Sequence, residues 1–136
     1  MLTEANDLIL AQLDALGVFK SVDIYVGDAE DLLKKAAKLP GVFLVYGGAV
    51  YIDGPVTLGT DIAATAQTWT VILLSKNLRS KGDGALECYT YIEQIRDALT
   101  KFAVGDGWLW PVREELLLAE KGSLAYGLDF ILETEV

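Results

Sequence analysis

Ala64-Thr65-Ala66-Gln67-Thr68-Trp69-Thr70-Val71-Ile72-Leu73-Leu74-Ser75 is the stretch whose reading decides the fold. Thr68 through Ile72 are β-branched or aromatic, which suits a pleated surface, and the end of the run is apolar on both faces, so it predicts a central strand. Asn77-Leu78-Arg79-Ser80-Lys81-Gly82-Asp83-Gly84 follows as polar and glycine punctuation. Asp83 stands where its carboxylate would accept backbone N–H bonds at a helix start. From Gly84 to Phe102 the pattern changes to helical, with Leu86, Tyr89, Ile92, Ile95, Leu99 and Phe102 along one stripe. A strand followed by a helix that lies on the sheet is therefore the nucleus of the fold.

Upstream, Leu2, Ala5, Leu8, Ile9, Leu13 and Leu16 keep a helical spacing, with Thr3 as cap and Gly17 as stop. Val18 to Val26 alternates as a half-buried strand does. Asp28 opens a further helix that Leu39-Pro40-Gly41 ends, with acids in its first turn and lysines in its last. Val42 to Ile52 reads as a strand interrupted at Gly47-Gly48, where a bulge is expected. Asp53 to Ala63 is a loop, and Gly105-Asp106-Gly107 a turn. Trp108 to Glu120 and Ser123 to Val136 form a closing hairpin with Glu120-Lys121-Gly122-Ser123 at its turn. In the last strand Leu124, Tyr126, Leu128, Phe130 and Leu132 face one way, and Ala125, Gly127, Asp129, Ile131 and Glu133 the other. The expectation is one α+β domain over 1–136, a mostly antiparallel sheet with helices packed on one face, in the order α-β-α-β-β-α-β-β.

Composition narrows the functions open to such a domain. The 136 residues are 52% apolar and 23% charged, which suits a globular chain with an ample core. Eleven basic side chains against 20 acidic ones give a net charge of -9, the wrong sign for gripping nucleic acid or anionic lipid. There is no histidine, so the commonest general base is missing. Cys88 is the lone cysteine and reads as a buried, inert thiol. The N-terminal residues lack the basic and apolar regions of a signal peptide, and no apolar run is long enough to span a bilayer. A soluble cytoplasmic product, with neither cofactor nor catalytic residue, is the expectation.

Several local patterns invite a site reading. Gly54-x-x-x-x-Gly59 has the first spacing of a phosphate loop, but Thr60-Asp61 follows in place of lysine and a hydroxyl residue, which favours a plain turn. Asp53 and Asp61 lack the alternating oxygen ligands of a calcium loop. Glu114 and Glu115 are adjacent on a strand, so they point to opposite faces and make no acid/base pair. Tyr46, Tyr51, Trp69 and Tyr126 would line a pocket if the domain bound a small molecule, the alternative function to a structural one. Arg79 and Lys81 fit an ion pair across a subunit contact. Trp108-Leu109-Trp110-Pro111 puts two tryptophans on one side of a segment; core packing accounts for one, and an interface is the competing account for the pair.

The chain resembles a family of small Mu-like phage and prophage proteins that act at the head-proximal end of the tail and are related in fold to tail terminators. The resemblance rests on the opening helix, Leu39-Pro40-Gly41-Val42-Phe43-Leu44-Val45-Tyr46-Gly47-Gly48, Trp69-Thr70-Val71 leading to Ser75-Lys76-Asn77-Leu78-Arg79-Ser80, Gly84-Ala85 with its helix, and Pro111-Val112-Arg113-Glu114-Glu115-Leu116. It covers almost the whole chain. It implies a structural protein of the virion tail, assembled in the bacterial cytoplasm as a homo-oligomeric ring of six subunits that stops tail polymerisation. The implied partners are the tail tube or sheath protein and the head connector, with no specific nucleic-acid binding and no membrane. In that setting Trp69, Arg79, Trp108, Trp110 and Arg113 are the candidate subunit or tube contacts, and Asp129 and Glu133 the candidate acidic lumen.

Overall fold

The computed structural model describes residues 2–25, 39–51, 64–76, 81–120 and 122–135. In chain order these form α1 (Leu2–Asp14), β1 (Ser21–Ile24), β2 (Gly41–Tyr51), β3 (Ala64–Lys76), α2 (Lys81–Leu99), β4 (Ala103–Val104), β5 (Gly107–Glu120) and β6 (Ser123–Glu135). The β-branched run that opened the sequence reading is indeed central. The sheet order is β1-β2-β3-β6-β5-β4, and β3 pairs with β6 without a break from Ala64↔Glu135 to Lys76↔Ser123. The fold is α+β, as expected, and every strand pair but one is antiparallel.

The exception is β1, which runs parallel to β2 with Val22 opposite Val42. Antiparallel strands suit tight turns, whereas residues 25–40 between these two are enough for a crossover connection, the route that parallel pairing requires. The expected helix from Asp28 lies outside the described residues. The expected strand from Val18 to Val26 contracts to Ser21–Ile24, and Ile24 is exposed at its end.

Strand alternation builds two unequal apolar faces. Trp69, Val71 and Leu73 of β3 join Val42, Leu44, Leu128, Phe130 and Leu132 beneath α1 and α2, which contribute Ala5, Ile9, Leu13, Ile92, Ile95 and Leu99. Each large aliphatic side chain removed from water here contributes roughly 1.5–3 kcal/mol. The indole N–H of Trp69 would be stranded in this layer, but it donates to Oε1 of buried Gln67 at 3.1 Å. On the other face Ile72, Leu74 and Ala125 form a smaller cluster with Tyr25, Leu39, Phe43, Val45 and Leu118.

Both helices begin earlier than their polar residues suggest, so Thr3 and Asp83 stand inside the first turns of α1 and α2 and are not their caps. The stop at Gly17 holds, with φ +69° and its N–H donating to the Asp14 carbonyl at 3.0 Å. The end of α2 differs. The helix stops at Leu99, Lys101 takes φ +64° and donates its N–H to the Leu109 carbonyl, and the Phe102 carbonyl accepts from the Leu109 N–H. The stripe that α2 buries is Cys88, Ile92, Ile95 and Leu99, while Leu86 and Tyr89 face outward. Cysteine at small hydrophobic size occupies the place the sequence reading gave to its neighbour. α1 is tied to α2 by the Gln12 amide, which donates to the Ala98 carbonyl near the helix end at 3.0 Å.

Candidate contact surface

The strand that carries the paired tryptophans starts at a tight constriction. A Cβ on Gly107 would lie 2.2 Å from the carbonyl oxygen of Glu133, so only glycine lets β5 approach β6 this closely. From that anchor the alternation of a strand sends Leu109 fully into the core and turns Trp108 and Trp110 to the face opposite α1 and α2, where they are 63% and 47% exposed. Trp110 stands opposite Ile131 of β6. Together with Asp106 and Glu133 these side chains line an open cleft of about 390 Å³. The Asp106 carboxylate accepts a hydrogen bond from the Thr134 hydroxyl.

The other candidate residues scatter. Trp69 is buried in the main core, 2% exposed, so it is a packing residue and no surface contact. Its neighbour Tyr46 covers it, ring centroids 5.1 Å apart. Arg79 lies outside the described residues, as do Asp53, Asp61 and the Gly54 to Gly59 loop. Arg113 is exposed on β5 and pairs with Glu115. Asp129 is half-buried and accepts a 2.6 Å hydrogen bond from the Thr70 hydroxyl. Glu133 is exposed at the tryptophan cleft.

Glu114 and Glu115 stand opposite Leu128 and Gly127 of β6 and both border one cleft, and each has its own arginine, Arg96 and Arg113. Glu114 takes a two-pronged hydrogen bond from Arg96 of α2, at 2.8 and 2.9 Å, which raises the guanidinium's pKa further and pins α2 to β5. The four aromatics proposed as one pocket are divided. Tyr51 is exposed, and Tyr126 sits opposite Leu73, further along β3 than Trp69. It lines a separate cleft of about 360 Å³ with Tyr89, Arg96, Glu114 and Leu116. The Cys88 thiol is buried, and burial pushes its pKa up more strongly than the hydrogen bond to Ser75 lowers it, while Glu87 adds to the rise. Among the described residues no three of Asp, Glu, Cys or His gather in a metal-binding group, and no helix is long and apolar enough to cross a membrane.

The sequence reading missed the breadth of the exposed apolar surface on β5. Val112 is 62% and Leu116 53% exposed. Val112 is the residue left out of the pairing at the register shift between Pro111 and Arg113, whereas Leu116 stays in register opposite Tyr126, just before the shift to Leu118. Pro111 beside Val112 was the available signal, since proline in a strand marks an edge or a bulge.

Among the described residues, two helices on one face of a mixed six-stranded sheet, with Trp108 and Trp110 on the other face, define the class of domain. No family model matches the chain, and no curated protein does. Among solved structures, a chain of the virion of a native gene transfer agent particle shares the fold, with a TM-score of 0.60 over 99% of this chain and 97% of that one at 16% identity.

Proposed function

We propose that the chain is a structural protein of a phage-like particle that completes the tail at its head-proximal end. The observation that carries this reading is the end-to-end likeness of fold to a virion chain, in which almost nothing of either chain is left over. In this role copies assemble into a closed ring of six, one rim on the tail tube and the other toward the head connector, and no catalytic step or cofactor is needed. A closed ring answers a geometric need as well. Beyond the short β4, the outer edge of β5 has no strand partner among the described residues, and heterologous contacts that close on themselves cover such edges without growing into fibres. The net charge of -9 fits a ring through which DNA passes without sticking.

The test is light scattering over a wide concentration range, with and without tail-tube protein, followed by imaging of negatively stained particles. Rings, free or capping tubes, are the expected outcome. A chain that stays monomeric at every concentration and never caps a tube overturns the reading.

A further inference from the structure

Two features of the cleft at the start of β5 belong together. Trp108 and Trp110 are alternate residues on one face of a strand, which sets their rings side by side at roughly 7 Å. The face of an indole ring carries the negative end of its quadrupole and attracts cations. The same cleft is lined by the carboxylates of Asp106 and Glu133, and none of its described lining residues is basic. Asp106 is already engaged by the Thr134 hydroxyl, and Glu133 is exposed at the cleft. Arg113, two strand positions beyond the second tryptophan's neighbour, is paired with Glu115 and does not line the cleft. The result is an aromatic floor with an acidic rim, open to solvent and about 390 Å³ in volume.

We propose that this cleft receives a lysine or arginine side chain from a basic segment of a different protein. The cation lies against Trp108 and Trp110, and the exposed Glu133 takes its N–H donors. Charge selects the occupant. Nucleic acid, itself an anion, is repelled by a chain of net charge -9, whereas a basic protein segment is steered in. The inference rests on reading this face as a protein contact, and it supplies the chemistry of the partner.

The experiment titrates acetyl-Gly-Arg-Gly-amide and acetyl-Gly-Lys-Gly-amide into the full chain, held below any concentration at which it associates, and follows the indole N–H resonances by NMR. Trp69 is the internal control, because its indole is buried and bonded to Gln67. The Trp108 and Trp110 resonances are expected to shift and the Trp69 resonance to stay. Replacing arginine by neutral citrulline, or making Trp110→Ala, is expected to weaken binding roughly tenfold. Glu133→Gln and added salt are expected to weaken it as well. Equal binding of a norleucine or citrulline peptide overturns the proposal in favour of a merely apolar groove. Shifts that grow with protein concentration in the absence of peptide, and vanish in Trp110→Ala, overturn it in favour of a second copy. No peptide response from a chain that still forms rings removes this inference alone. A peptide response without rings removes the assembly reading alone.

Discussion

Gly107 and Cys88 show what single residues carry in this fold. A methyl group at position 107 meets backbone, not a movable side chain, so Gly107→Ala forces β5 away from β6 and is expected to destabilise the domain by about 2 kcal/mol or more, read from urea unfolding. The same substitution at Gly47, whose added Cβ would sit at ordinary 3.4 Å contacts with Thr68, is the control with a small effect. Because the Cys88 thiol is harder to ionise when folded, its stabilising contribution is full below the ordinary thiol range and is lost as pH rises through the folded pKa. Slow maleimide labelling of the native chain, with fast labelling in urea, is the expected result, and a steeper fall in stability above the thiol range than in Cys88→Ala is its counterpart. The three tryptophans show why residues were only partly legible. All sit in strands and look alike by type. What separates buried Trp69 from exposed Trp108 and Trp110 is which parity of its strand faces the helices. Trp69 has Gln67 on the same face to satisfy its indole, a signal visible only once that face is known.

At the scale of elements, hydrophobic period located nearly every described helix and strand, while their ends and pairings depended on contacts it does not encode. The helix expected over Gly84 to Phe102 spans Lys81–Leu99, and it ends early where the Lys101 N–H and the Phe102 carbonyl both turn to Leu109. Arg96–Glu114, invisible to a reading of either element alone, joins α2 to β5. Both side chains remain substantially exposed, so a double-mutant cycle is expected to give only about 0.5 kcal/mol, shrinking with salt. The bulges of β5 matter in another way. They break the outer edge of a long strand with exposed apolar side chains, and Pro111 removes a donor from it. Deleting Val112 straightens that edge without changing which way its neighbours face, and is expected to leave the fold intact but increase time-dependent light scattering. Unchanged scattering counts against a protective role for the bulge.

For the whole molecule, the fold class was legible because apolar alternation, turn residues and helical stripes all agreed; the contact surface was legible only in its tryptophans. Asp106 escaped notice as a turn residue, and the rim of the cleft exists only where β4, β5 and β6 meet. If the chain serves as a DNA-passing ring, mobility assays at physiological salt are expected to show no DNA binding, and tight binding would argue for a nucleic-acid role instead. One consequence of the topology concerns synthesis. β6 is wedged between β3 and β5, yet it leaves the ribosome after both. Until Ser123 to Glu135 has emerged, β3 and β5 each lack a neighbour, and the nascent chain must hold the tryptophan-bearing strand and the core of β3 unjoined. The native sheet therefore closes as a late, long-range event, and the interval before it is when a chaperone has most to do.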